Sequence, residues 1–93
     1  IGTAEAFRLG LIGEITKASE LETRTRALCA TLAGNAPLTQ TAAKLAINAI
    51  AAGSPAENMT EAVNAAEACF DSQDFTEGRN AFLEKRQPAF NGT

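Results

Sequence analysis

The sequence predicts a mainly α fold of about four to five helices, with one short strand near the N-terminus. Two Ser-x-x-Glu patterns, Ser19 to Glu22 and Ser54 to Glu57, have the spacing of a capping box, in which both side chains satisfy free N–H groups at a helix start. Apolar residues then recur at three- and four-residue intervals, the period of one helix face. Glycines and prolines separate these stretches, so the chain divides into successive helices.

The N-terminal stretch predicts a short helix followed by a short strand. Thr3 can cap a helix that runs through Leu9, and Gly10 can end it because glycine tolerates a left-handed backbone. Residues 11–15 contain three large apolar residues without a helical period, which is typical of a brief extended segment or an edge strand. A single strand has no partner within this stretch.

Two helices are predicted between Ser19 and Gly53. The first begins at the Ser19 capping box and ends at Gly34, and the second begins at Pro37, which suits a first helical turn. Each is amphipathic, so we expect its apolar face to pack against another element. The apolar positions are Leu21, Thr25, Leu28 and Leu32 in the first, and Leu38, Ala42, Leu45, Ala46, Ala49 and Ile50 in the second.

Two further helices are predicted in the C-terminal half. One is capped by Ser54, has Pro55 in its first helical position and reaches about Phe70, and residues 71–72 interrupt the pattern after it. The last covers about residues 73–86 and stops there because Pro88 disfavours a helical residue before it. The predicted buried face of residues 54–70 consists of Met59, Ala62, Val63, Ala66 and Phe70.

The composition excludes several classes of function. The formal net charge is −3 and the basic residues are scattered, whereas duplex nucleic acid requires a clustered cationic surface. No apolar run approaches the roughly 18 residues of a membrane span. With no histidine and with Cys29 and Cys69 far apart, the spacings of zinc and redox motifs are absent. We therefore expect no nucleic acid, membrane or metal as partner, and interpret both cysteines as buried, reduced thiols.

A thin core is expected from the length and the apolar content. A chain of 93 residues forms at most one domain and buries only about 60–65% of its unfolded surface. Alanine contributes much of the apolar content, and there are five Phe but no Trp or Tyr. We therefore expect apolar surface around Leu45, Ile50 and Phe70 to remain exposed and to require a partner.

Three carboxylates cluster near the start of the last predicted helix: Asp71, Asp74 and Glu77. A paired-carboxylate acid–base site is one interpretation, because the chain offers no histidine or tyrosine for that chemistry. We favour a structural role, since anions near a helix N-terminus stabilise the helix dipole.

An aromatic ring and a cation come close together farther along the same helix. Phe75, Gly78, Phe82 and Lys85 are separated by three, four and three residues, so the pattern places them along one side. Phe82 beside Lys85 could bind a ring and an anion, as a nucleotide offers. The alternative is that both phenylalanines belong to the core and Lys85 is a solvated helix end.

Three stretches of sequence carry a more specific pattern. They are AEAFRLGLI at residues 4–12, NAPL at 35–38 followed by Lys44, and SQDFTEGRNAFLEKRQPAF at 72–90. In this order and spacing they resemble the crotonase (enoyl-CoA hydratase/isomerase) family, over nearly all 93 residues. The resemblance implies roughly the last third of a family member. Residues 1–18 would be the end of the crotonase-like core, and residues 19–93 a C-terminal helical region for trimerisation and CoA contact.

The resemblance also implies where the chemistry lies. In that family a spiral of β-β-α units holds the acyl-CoA thioester, and two backbone N–H groups form an oxyanion hole. The catalytic carboxylates of the family would lie upstream of Ile1, so we expect no catalytic residue in this chain. The resemblance implies acyl-CoA as substrate with no resident cofactor, and a homotrimer or hexamer with the catalytic core as partner. The cytoplasm is the default compartment, inferred from the absence of targeting signals.

Two residues match a ligand contact of the family. Phe82 and Lys85 stand where family members use a Phe and a Lys against the CoA of a neighbouring subunit. The resemblance implies that Lys85 pairs with the CoA 3′-phosphate and that Phe82 borders the pocket beside it. Asp74, Glu77 and Gly78 also belong to the motif, and we interpret them as structural.

Two alternatives to an enzyme part stay open at this point. One is a free-standing helical oligomerisation or interaction module without CoA binding. The other is an acyl-CoA carrier, which we favour less because only Phe82 and Lys85 are available to line a pocket. The motif is shared by hydratases, isomerases, dehalogenases and decarboxylases, so the reaction and the acyl chain length also stay open.

Overall fold

Five α-helices make up most of the regular structure. The computed structural model describes the backbone of residues 1–93 and every side chain except that of Glu57. The helices are α1 (Thr3–Arg8), α2 (Leu21–Gly34), α3 (Pro37–Ala51), α4 (Thr60–Phe70) and α5 (Gln73–Glu84), with 3-10 turns at Ala18–Glu20 and Ala56–Asn58. The prediction of a mainly α fold is confirmed.

The chain forms two compact units, Ile1–Leu32 and Ala33–Thr93. These bounds come from packing within each unit. The division of the chain at residues 18 and 19 concerns its relation to a larger enzyme, and it stays a prediction.

In the first unit, α1 differs from its prediction at the start and agrees at the end. Gly2 occupies the N-cap position with an extended backbone, so Thr3 is already helical and does not cap the helix. Gly10 ends α1 with a φ of 76°, and its N–H donates to the carbonyl of Phe7 at 3.0 Å. A left-handed glycine closing the last turn is the predicted arrangement.

The short strand predicted over residues 11–15 is absent. Residues 11–13 form bends and residues 14–17 have no regular structure. A strand is stabilised by hydrogen bonds to a neighbouring strand, and no strand occurs among the described residues to supply them. The segment is instead attached to α2 through Glu14, whose carboxylate accepts from Nε and Nη2 of Arg24 at 2.6 and 3.0 Å.

The capping box predicted at Ser19 does not form. Ser19 lies inside the 3-10 turn Ala18–Glu20, and α2 begins directly after it at Leu21. Glu22, the second residue of the box, pairs with Arg26 one turn later, with Nη2 and Oε1 2.8 Å apart. The Glu22 carboxylate is therefore engaged in an ion pair within α2, whereas the predicted capping box required it to accept an N–H group at the helix start.

The apolar face of α2 is exposed. Leu21, Leu28 and Leu32 retain between 50% and 58% of their accessible surface. Cys29 is also exposed, which corrects the prediction of a buried thiol, and no residue of this helix is buried. Both cysteines are free, and Cys69 is half-buried.

The second unit is built on contact between α3 and α4. Ala42 of α3 and Ala62 of α4 are buried, at 7% and 6% exposure, and small side chains at such positions allow two helices to approach closely. Among the described residues no large side chain is fully buried, so the predicted thin core is confirmed. Ile50 and Phe70 keep about two-thirds of their surface exposed, as expected of apolar faces that lack a cover.

The start of α4 lies five residues later than predicted. Pro55 has an extended backbone with ψ of 158° and precedes a 3-10 turn, so the α-helix begins only at Thr60. The predicted capping box from Ser54 depends on the Glu57 side chain, which lies outside the described residues. The boundaries of α3 agree with the sequence: Pro37 is its first residue, and Gly53 follows it with φ of 71°.

Candidate functional site

The two predicted ligand contacts lie at the C-terminal end of α5. Phe82 is in the last helical turn and is 83% exposed, so it is not a core residue in this chain. The helix ends at Glu84, two residues before its predicted end. Lys85 therefore lies just beyond the helix. The three–four–three spacing had predicted that it continues the helix side of Phe82, and it does not.

Lys85 adopts a left-handed backbone conformation, with φ of 54° and ψ of 42°. Its N–H donates to the carbonyl of Phe82 at 3.3 Å, and the N–H of Arg86 donates to that of Ala81 at 3.0 Å. These two bonds define a Schellman motif, in which the left-handed position is usually glycine. A lysine there is costly for the backbone, and such strain is concentrated at functional positions in proteins.

Arg86 is held by two carboxylates. Its Nη1 and Nη2 lie 2.6 and 2.9 Å from Oε1 and Oε2 of Glu77, a bidentate pair, and its Nε lies 2.6 Å from Oε2 of Glu84. Glu77 Oε1 also accepts the N–H of Ala89 at 2.8 Å. The Arg86 bonds, followed by the Ala89 bond, lower the pKa of Glu77 from 4.5 to about 2, and the two carboxylates raise the pKa of Arg86.

Lys85 differs from Arg86 in its ion-pair partners. Among the described residues no carboxylate lies within ion-pair distance of its ammonium group, whereas Arg86 has two such partners. The turn thus presents one neutralised cation and one available cation in succession. An ammonium group without a carboxylate partner can bind a phosphate, and an exposed aromatic ring can contact a flat ring.

The C-terminal tail, residues 87–93, folds back along α5. Asp74, only 4% exposed, accepts the N–H groups of Asn91 and Gly92, both at 2.8 Å, and its own N–H donates to the carbonyl of Thr93 at 2.9 Å. Gly78, one turn along, lies against the ring of Phe90. The tail is therefore fixed to the side of α5 that carries residues 74, 77 and 78.

Two of the three clustered carboxylates are engaged within the chain. Asp74 and Glu77 bind backbone N–H groups of the tail, and Glu77 also binds Arg86. Asp71 is exposed and follows the last residue of α4. The structural interpretation of Asp74, Glu77 and Gly78 agrees with the geometry, although their role is to hold the tail.

Sequence reasoning missed the cap of α5. The hydroxyl of Ser72 accepts the N–H of Phe75 at 3.0 Å, so Ser72 is the N-cap. Its signal was present, since serine is among the preferred N-cap residues and stands directly before the predicted helix. Phe75 itself meets Phe70 edge to face, with ring centroids 5.5 Å apart.

An apolar groove lies between α3 and α4, away from the end of α5. It has a volume of about 500 Å³ and is open to solvent. Its lining is Thr39, Ala42, Ala43, Ala46, Met59, Ala62, Val63, Ala66, Cys69, Phe70 and Phe75. Phe82 and Lys85 do not line it.

Two kinds of feature are absent from the described residues. No helix there combines the length and the apolar character that crossing a membrane requires. No group of three or more Cys, Asp or Glu side chains comes close enough together to hold a metal ion.

Comparison with known proteins relates the whole chain to one family. A family model described as enoyl-CoA hydratase/isomerase matches residues 1–93. A protein of Rhodobacter capsulatus named "probable enoyl-CoA hydratase" is 41% identical over 93 residues, covering 99% of this chain and 36% of that protein. One of the same name from Mycobacterium bovis is 33% identical over 87 residues, covering 94% and 34%.

Solved structures agree with the sequence matches. An enoyl-CoA hydratase from Mycobacterium tuberculosis superposes with a TM-score of 0.85 at 29% identity, over 100% of this chain and 37% of that one. An enoyl-CoA hydratase/isomerase from Mycobacterium paratuberculosis gives 0.83 at 31% identity, with the same coverage. This chain spans about a third of the length of the relatives it matches. On the match to its full length, the chain belongs to the enoyl-CoA hydratase/isomerase family.

Proposed function

We propose that this chain is the C-terminal part of an enzyme that acts on acyl-CoA thioesters, and that it contributes subunit association and a CoA contact. Family membership supports the substrate class. The coenzyme A moiety carries a 3′-phosphate beside an adenine ring, so a protein binds it through a cation next to an apolar or aromatic surface. Acyl-CoA enters this proposal as substrate, without a resident cofactor, and the cytoplasm stays the expected compartment.

The observation that carries the CoA contact is the end of α5. Lys85 has an ammonium group without a carboxylate partner among the described residues, and Phe82 presents an 83% exposed ring three residues earlier. Leaving a large aromatic ring in water costs hydrophobic free energy that a bound ring or a neighbouring subunit recovers. We assign Lys85 to the 3′-phosphate and Phe82 to the surface beside it.

The subunit contact is proposed from the uncovered apolar faces. Ile47, Ile50, Val63 and Phe70 in the second unit each keep half or more of their surface exposed. Exposed apolar side chains close together mark a surface that another protein covers. We propose that this cover comes from the catalytic core and from neighbouring subunits of a trimer or hexamer. The residues that perform the reaction belong, in this proposal, to that core.

Binding of CoA and of 3′-dephospho-CoA to the assembled enzyme tests the contact. We expect Lys85→Ala to weaken CoA binding about tenfold or more, because a hydrogen bond to a charged group contributes roughly 1.5–3 kcal/mol. Dephospho-CoA lacks the group that Lys85 is proposed to bind, so its affinity should change less than about twofold. Lys17→Ala, which removes the same charge from the first unit, is the matched control. If Lys85→Ala bound CoA as tightly as wild type does, and dephospho-CoA as tightly as wild type does, the contact would be excluded.

The ring is tested separately. Phe82→Ala is expected to weaken both ligands by a similar factor, since the ring contact does not involve the 3′-phosphate. Leu83→Ala removes an apolar side chain of similar exposure from the next position and is the control. If Phe82→Ala changed neither affinity, the ring would have no part in the site.

A second candidate is a free-standing helical oligomerisation module that binds no CoA. The exposed apolar faces of α3 and α4 favour it, because they need a cover whether or not a nucleotide binds. Sedimentation of the 93-residue chain with and without CoA, alongside hydration of crotonyl-CoA by the assembled enzyme, separates the two. A stable oligomer without CoA binding, together with no hydratase or isomerase activity, would favour the module.

A further inference from the structure

We propose that Glu77 and Arg86 are positioning residues that hold the turn of Lys85 and keep its ammonium group available for an anion. This inference rests on the proposed CoA contact, and it concerns how the contact is built. Neither residue is proposed to touch the ligand.

The first step concerns the backbone. Lys85 has a positive φ, a conformation that L-residues other than glycine rarely adopt and that persists only where the surroundings impose it. The helix side supplies part of this constraint through the hydrogen bonds of Lys85 and Arg86 to Phe82 and Ala81. On the C-terminal side of Lys85, the constraint has to act through Arg86, the next residue in the chain.

The second step is the anchor on Arg86. Its guanidinium contacts both oxygens of Glu77, one oxygen of Glu84 and, at 3.3 Å, the carbonyl of Gln87. Glu77 lies about two helical turns before the turn of Lys85, so the fork joins the residue after Lys85 back to the body of α5. Bidentate arginine pairs fix orientation as well as distance, which a lysine ammonium does not do.

The third step is the anchor on Glu77 itself. Its Oε1 also accepts the N–H of Ala89, and it is the less exposed partner of the pair, with 25% of its side-chain surface accessible. Glu77 therefore fixes the chain at two points after Lys85, namely the Arg86 guanidinium and the Ala89 amide. Loss of Glu77 would release both points together.

The fourth step concerns charge. Glu84 precedes Lys85 directly in the chain and carries the nearest carboxylate in sequence, yet its Oε2 is taken by Arg86. An unengaged carboxylate near the ammonium would compete with a phosphate for it, because both anions attract the same cation. Arg86 thus keeps Glu84 away from Lys85 as well as shaping the turn.

The test compares CoA with 3′-dephospho-CoA in the assembled enzyme, using Glu77→Gln, Arg86→Gln and Arg86→Lys. We expect the two glutamine variants to weaken CoA binding about tenfold, a loss of the size seen when residues that orient a ligating side chain are removed, and to change dephospho-CoA affinity less than about twofold. Arg86→Lys keeps the charge and loses the fork, so its CoA affinity should also fall. Arg24→Gln breaks the equivalent fork to Glu14 in the first unit and is expected to leave both affinities unchanged.

The outcomes separate this inference from the proposed CoA contact on which it rests. If Lys85→Ala removes the preference for CoA while Glu77→Gln and Arg86→Gln retain it, the positioning role is wrong and the contact stands. If Lys85→Ala itself retains the preference, both are wrong. Arg86→Lys guards against a misfolded glutamine variant: wild-type CoA affinity in this folded, charge-preserving variant would overturn the requirement for the fork.

Discussion

The ring of Phe90 in the C-terminal tail faces Gly78 of α5 and leaves little room for a side chain there. A Cβ atom built on Gly78 would lie 3.3 Å from Cε1 and 3.5 Å from Cζ of the Phe90 ring. Glycine inside a helix lowers its stability by about 1 kcal/mol relative to alanine. The helix therefore carries an unfavourable residue at the point where the tail ring approaches its backbone, next to the two carboxylates that bind the tail.

Gly78→Ala is expected to have an effect that depends on the Phe90 ring. In the wild-type chain the gain in helix propensity of about 1 kcal/mol is offset by displacement of the ring, so the free energy of unfolding should change by less than about 0.5 kcal/mol. In a Phe90→Ala background the same substitution should recover the full gain. Urea denaturation of the four proteins measures the difference. Equal gains in both backgrounds would mean that the ring yields without cost.

Asp74→Ala is expected to lower the free energy of unfolding by about 1–3 kcal/mol, because two backbone N–H groups lose their acceptor. The carboxylate is 4% exposed and accepts from Asn91 and Gly92 at 2.8 Å. Hydrogen exchange of these two amides should accelerate in the variant. Asp71→Ala removes an exposed carboxylate three residues earlier and is the control. Unchanged exchange in Asp74→Ala would show that the tail is held by other contacts.

The pH dependence of stability should show the contribution of Glu77. Its pKa is lowered from 4.5 to about 2 in the folded protein, first by the Arg86 bonds and then by the Ala89 amide. Well above pH 4.5 the carboxylate is ionised in both states and its contribution is complete. Between pH 4.5 and about 2 the unfolded chain takes up a proton that the folded chain does not, so stability falls over this interval.

Denaturant unfolding from pH 2 to pH 7 measures this effect. Glu77→Gln should flatten the decline between pH 4.5 and 2, since the titrating group is gone. Arg86→Gln should flatten it as well, because the largest cause of the lowered pKa is removed. A Glu77→Gln curve parallel to the wild-type curve over that interval would contradict the assignment.

The helices could be predicted from the sequence because their signals are local. The apolar spacing located α2, α3 and α4, start and stop signals located α1 and α5, and Pro37 and Gly34 marked boundaries that the structure confirms. The errors arose where a local signal had two possible uses. Glu22 pairs with Arg26 and not with a free N–H at the helix start, and Pro55, placed in a first helical turn, adopts an extended backbone.

The geometry around Lys85 could not be predicted in the same way. The contacts of Asp74 with Asn91 and Gly92 span 17 and 18 residues, and no periodicity reports contacts between positions so far apart. A left-handed residue is predicted where the sequence has glycine, and here it is a lysine. Phe82 and Lys85 were singled out by spacing and by resemblance, whereas the Glu77–Arg86 fork that shapes their turn became visible only in three dimensions.

Substitution of Lys85 separates the cost of its backbone from the use of its charge. A left-handed conformation costs an L-residue roughly 1–2 kcal/mol, part of which glycine loses again as conformational entropy on folding. Lys85→Gly is therefore expected to raise the free energy of unfolding by about 0.5–1 kcal/mol, while Lys85→Ala, which keeps a Cβ atom, should stay near wild type. Both variants lack the ammonium group, so both should lose the preference for CoA over dephospho-CoA to the same extent. Urea denaturation and ligand titration on the three proteins measure the two effects independently. A stability gain confined to Lys85→Gly, with equal loss of preference in both, would show that the chain retains a strained lysine for its charge; equal stability of all three would show that the turn is not strained.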